Sequence, residues 1–147
     1  MSSFTKFDTD MSISYASRAS KEQGRDLWVV NQAFQFYTGS ETDRGWITVP
    51  QNFLTDGASI PRPLWMLLPP WGRYGQAAVL HDYLVEGGVV AYESHTETLT
   101  RAECDRIFLE AMTVLEVNIL TRYAMYAGVR AWAWVKQFLE QRKQQPS

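Results

Sequence analysis

Tyr74-Gly75-Gln76-Ala77-Ala78-Val79-Leu80-His81-Asp82-Tyr83-Leu84-Val85 is apolar almost throughout, with Gln76, His81 and Asp82 as its exceptions. A helix that is apolar on every side belongs inside a protein, so this stretch predicts a central buried helix, stopped by Gly87-Gly88. Beyond it, Val89 to Leu99 reads as a polar excursion carrying His95. Thr100-Arg101-Ala102-Glu103 then has the spacing of a capping box, in which each side chain satisfies a free backbone N–H of the other residue. The helix it opens sets Cys104, Ile107, Phe108, Ala111, Met112 and Leu115 on one face, and a last helix, rich in Tyr and Trp, runs from about Ile119 to Arg142.

Upstream the pattern changes. Asp26 to Thr38 is dense in aromatic and β-branched residues and predicts a strand. Gly39 to Gly45 is a turn, Trp46-Ile47-Thr48-Val49 a second strand, and Pro50 ends the resulting antiparallel hairpin. Gln51 to Pro70 is a shaped loop, with a tight turn at Asp56-Gly57 and a helical turn over Leu64 to Leu67 that Pro69-Pro70 terminate. Residues 1–25 read as an arm with one edge strand, partly mobile at its extreme terminus. The expected class is therefore α+β. An N-terminal antiparallel hairpin or small sheet packs on a C-terminal bundle of three to four helices, in a single domain over 26–143.

Composition narrows the function classes. At 147 residues and 46% hydrophobic content the chain can bury one core without staples. The formal net charge of −2 and the scattered Lys and Arg exclude the basic stripe that nucleic acid requires. One cysteine, Cys104, forbids an internal disulfide and suits a reducing compartment. No stretch predicts a secretory signal or a transmembrane segment. Six Trp in so short a chain point to an exposed binding surface as well as a core.

Four residues carry the candidate chemistry. A buried carboxylate is costly unless it gains a cation or several hydrogen bonds, and His81-Asp82 stand together in the apolar helix. Adjacent helical residues point about 100° apart, so one can hold a cation while the other deprotonates a water beside it. Asp105 lies on the flank of the next helix's apolar stripe, at the rim of the core, where it can orient an imidazole. Asp56, beside Gly57, can approach a ligand closely as a metal-binding oxygen. The structural alternatives stand alongside: His81 satisfied within the core, Asp82 paired with Arg73 or Arg101, and Asp56 fixing only its own turn. Cys104 on an apolar face reads as packing, and His95, between Glu93 and Glu97, as a solvated loop histidine.

Val49-Pro50, Phe53-Leu54-Thr55-Asp56-Gly57-Ala58-Ser59-Ile60-Pro61, Ala77-Ala78-Val79-Leu80-His81-Asp82-Tyr83-Leu84 and Asp105-Arg106-Ile107-Phe108 together resemble domain-of-unknown-function family 1353. Its members are small proteins mostly encoded by bacteriophages and prophages, and the resemblance runs from about Trp46 to Gly128. It implies a phage origin and no established activity. A helix bearing His-Asp, followed by one bearing Asp-x-x-Phe, also resembles the site of the phospholipases A2. That resemblance implies His81 as general base, Asp82 as a calcium ligand and Asp105 as the residue that orients His81.

The expectation is a phage-encoded, metal-dependent hydrolase of an ester or amide in lipid or cell-envelope material. His81 and Asp105 are its catalytic pair, and Asp82 and Asp56 hold a divalent metal, calcium first and zinc second. One rival is a virion or assembly component with a purely structural His-Asp cluster. Another is a host-interaction or ligand-binding protein without turnover. In the first, the Trp-rich C-terminal helix and the strand-forming N-terminal arm dock virion proteins. In the second, a small molecule or host factor is bound in the pocket, and the C-terminal helix can dock a host protein. The protein is expected in the host cytoplasm during infection, or associated with the virion.

Overall fold

The computed structural model describes residues 5–39, 44–55 and 74–144. In chain order these are β1 (Lys6–Phe7), β2 (Ile13–Tyr15), α1 (Ser17–Gln23), β3 (Trp28–Val30), β4 (Phe34–Gly39), β5 (Arg44–Val49), β6 (Leu54–Thr55), α2 (Gly75–Val85), β7 (Val89–Ala91), β8 (Thr96–Thr98), α3 (Arg101–Val114) and α4 (Ile119–Gln144). The strands form a five-stranded sheet in the order β1-β4-β5-β7-β8 and a three-stranded sheet in the order β2-β3-β6. Every pairing is antiparallel. The class is α+β, with most strands in the N-terminal half and the three long helices in the C-terminal half, where the β7–β8 hairpin separates the first two.

The expected hairpin is β4–β5, and its pairing explains why these residues choose strand. Phe34 faces Val49 and Phe36 faces Ile47 across the ladder, and all four side chains are buried. Alternation along each strand turns their neighbours outward. The inward side chains join Ala77 to Leu80 of α2, Phe108 and Met112 of α3, and Met125 and Val129 of α4 in one continuous core.

Three local readings change. Asp26 to Thr38 is two strands in different sheets, because Asn31 to Ala33 turn the chain and Asn31 N bonds back to Ser12 O. Residues 6–23, within the arm expected to hold one edge strand, supply two short strands, β1 and β2, and the helix α1, and Gln76 of α2 donates to Thr9 O at 2.8 Å. The polar excursion after α2 is the β7–β8 hairpin with His95 at its tip. The end of α2 is as expected: Gly87 takes a φ of 102°, a conformation that favours glycine, and Gly88 N bonds to Tyr83 O. Asp56 with its turn and the Leu64 to Leu67 turn lie outside the described residues.

Candidate functional site

Gly75 to Asp82 of α2 are all buried, so the polar side chains among them must find partners inside the protein. His81 is wholly enclosed, its ring against Phe108 at a centroid distance of 4.8 Å. Its Nε2 lies 2.6 Å from Asp105 Oδ1. An ionised carboxylate can only accept, so Nε2 carries the proton and Nδ1 keeps its lone pair. Nδ1 is buried and has no hydrogen-bond partner among the described residues.

Asp105 reaches this position through the start of α3. The capping box forms as expected, with Glu103 N donating to Thr100 Oγ1 at 3.2 Å and the Glu103 carboxylate accepting from Thr100 N. That cap sets the helix phase that turns Asp105 inward, and its side chain is 0% exposed, deeper than the rim position expected of it. Arg101, one turn earlier, donates Nε to Asp105 Oδ1 at 3.1 Å, and Arg130 of α4 donates Nη1 to Oδ2 at 2.9 Å. One carboxylate thus ties α2, α3 and α4 together.

Burial pushes the His81 imidazole below its ordinary value, against the opposing pull of Asp105, so the ring is neutral near pH 7. Burial alone would raise Asp105. The hydrogen bond from His81 and the guanidiniums of Arg101 and Arg130 outweigh it and hold the carboxylate below its usual range, and the His81 charge adds to this only once acid protonates the ring. A neutral ring with a fixed tautomer, whose Nδ1 has no partner among the described residues, can take a proton from a group brought to that nitrogen. It can equally be a packed core histidine.

Asp82 leaves α2 in another direction. It is 5% exposed and borders a groove of about 360 Å³, with Arg25, Asn52, Phe53, Leu54 and Glu86 among the other lining residues. Asp56 lies outside the described residues. Among the described residues no three His, Cys, Asp or Glu side chains come together as metal donors.

A family model described as a protein of unknown function, DUF1353, matches residues 28–129. The chain belongs to this family. No curated protein and no solved structure matches it significantly. The DUF1353 stretch opens in β3 and holds His81, Asp82, Arg101 and Asp105, while Arg130 stands one residue beyond its end.

Sequence reasoning missed Arg130 and offered Arg101 only as a partner of Asp82, whereas it binds Asp105. Arg101 was legible as the i, i+4 neighbour of Asp105. Arg130 offered only a cation interrupting an apolar-rich helix, and nothing local names its partner. His95 remains peripheral to this DUF1353 core: it is exposed, bonds Ser94 and Glu97, and stacks on Tyr92 at 4.9 Å.

Cys104, beside Asp105, is buried with Sγ 4.0 Å from Leu99 O. Burial, and then the Asp105 charge, push its thiol up to about 11. Because the thiolate is the reactive form, native protein at pH 8 is expected to resist a thiol-specific disulfide reagent. Unfolding in urea should release one thiol per chain, and fast labelling of the native protein would contradict this placement.

Proposed function

We propose that the chain is a phage-encoded hydrolase of ester, or less readily amide, bonds in lipid or cell-envelope material, with His81 as general base. The observation that supports this reading is the buried imidazole whose Nε2 is committed to Asp105 while Nδ1 has no partner among the described residues. Water at Nδ1 would lose its proton to the ring as its oxygen attacks the carbonyl carbon, and Asp105 would stabilise the imidazolium that forms. The imidazolium would then give that proton to the departing alcohol oxygen or amine nitrogen as its bond to the carbonyl carbon breaks. Arg101 and Arg130 keep Asp105 ionised and fixed, and they draw on its charge as well, which moderates the basicity it lends His81. Because His81 is 0% exposed, substrate must displace some of the residues around it.

The same reading brings a divalent cation, calcium first and zinc second, to Asp82 and Asp56. The described donors are too few to hold it alone, so no step is derived through it. A second reading, a virion or assembly component with a structural cluster, draws support from the enclosure of His81 and from the three donors on Asp105.

The test is hydrolysis of short-chain phospholipids and soluble esters at pH 7, with calorimetric titration of calcium and zinc. His81→Asn, if folded, is expected to lower turnover by roughly 10²–10⁴-fold, and Asp82→Asn to weaken metal binding. No turnover by wild type on any of these substrates, and no heat of metal binding, would leave the structural reading.

A further inference from the structure

Helix α4 is 26 residues long, about 39 Å at 1.5 Å per residue. Among the described residues its anchors in the core, Met125 and Val129, fall in its first half, and from Lys136 to Lys143 every residue is exposed. Leu120, Tyr123, Ala127, Ala131, Trp134 and Phe138 follow one another at spacings of three and four, which places them on one face of the helix. All six are exposed, Leu120 by 80% and Trp134 by 67%, and Trp134 stacks on Phe138 at 6.0 Å. An apolar stripe of this length on a free helix face calls for an occupant.

Charge selects it. With Arg130 paired to Asp105, Arg122, Lys136, Arg142 and Lys143 of α4 stand against Glu140 alone, a formal excess of three positive charges in a chain of net −2. A second copy would bring two such cationic helices face to face. An anionic occupant is attracted instead, and the stripe is a convex single helix, which a bilayer accepts without a matching groove. Tyr and Trp favour the headgroup level of a membrane, and a helix with Trp, Phe and Leu on one face and Lys and Arg elsewhere lies in that plane. None of the described helices is long and apolar enough to cross a membrane.

We infer that the exposed face of α4 docks the protein on an anionic lipid surface, with Trp134 and Phe138 entering the interface. The inference goes beyond hydrolysis and does not depend on it. Arg130 links this helix to Asp105, so one element carries both the surface and one support of the candidate site.

Flotation of the full-length protein with vesicles tests it, using phosphatidylcholine alone and phosphatidylcholine mixed with phosphatidylglycerol. Wild type is expected to float with the mixed vesicles, more weakly as salt rises, and poorly with phosphatidylcholine alone. Trp134→Asp combined with Phe138→Asp should cut partitioning by about tenfold or more with an unchanged urea midpoint. His81→Leu should float like wild type, which separates lipid docking from catalysis. Equal flotation of wild type and the double variant, or none by wild type on the mixed vesicles, overturns the inference. So does a wild-type dimer in light scattering that the double variant returns to monomer, which would assign the stripe to a second copy.

Discussion

Asp105→Ala is expected to destabilise the fold by about 3–5 kcal/mol, the range for removing one member of a buried ionic network. The Asp105 side chain is 0% exposed and accepts from His81, Arg101 and Arg130, which come from three different helices. Without it, His81 Nε2 loses its partner in a site closed to water, and Arg101, 25% exposed along its side chain, keeps part of its charge inside. Arg130, at 39%, can turn outward and recover hydration, which keeps the loss from climbing further. Asp105→Asn preserves the shape but offers one accepting oxygen for three donors, so an intermediate loss is expected. Urea unfolding followed by tryptophan fluorescence measures both. A loss below about 1 kcal/mol for Asp105→Ala would mean that desolvation of the carboxylate already cancels what its partners contribute.

This network also marks where sequence stops being legible. The buried helix was readable because Gly75 to Val85 has so few polar residues, and α3 because the Thr100–Glu103 box is a local device. The β4–β5 hairpin was readable from its aromatic and β-branched residues. By contrast, Lys6–Phe7 and Ile13–Tyr15 are too short to display a period, and they become strands only because β4 and β3 offer them edges. The break between β3 and β4 hid in a segment whose composition is strand-like at both ends. At the candidate site, side-by-side His81-Asp82 drew attention, yet they face different surroundings, a core contact with Asp105 and a groove. The Arg130–Asp105 pair spans 25 residues and depends on how α4 crosses α3, which no local pattern encodes.

Acid is expected to unfold the protein in two stages, and the first belongs to His81. Its pKa is lowered by burial, so between the ordinary value of 6.5 and the folded value the unfolded chain binds one more proton than the native protein. Stability therefore rises with pH across that interval. The contribution is whole above 6.5 and drains as pH falls, at up to about 1.4 kcal/mol per pH unit for one proton. Asp105 adds the second stage. Its folded pKa is also depressed, so what it contributes is whole above its ordinary 3.8 and is lost as pH falls below that. Urea midpoints measured from pH 8 to pH 3 should accordingly be level at first, then fall from about 6.5, with a further drop below about 4. His81→Leu separates the stages: Asp105 keeps both guanidinium partners, while the group that titrates first is gone. The variant's profile should stay flatter between 6.5 and 3.8 and then drop below it by less than in wild type, because the His81 hydrogen bond that helps depress Asp105 is gone while the two guanidiniums remain. If its early slope instead equals that of wild type, the proton taken up on unfolding belongs to other groups, and burial does not depress the His81 imidazole in the native protein. That outcome would remove the pH prediction and leave the hydrolytic reading to its turnover test, since an imidazole of ordinary pKa is still mostly neutral at pH 7 and can accept a proton.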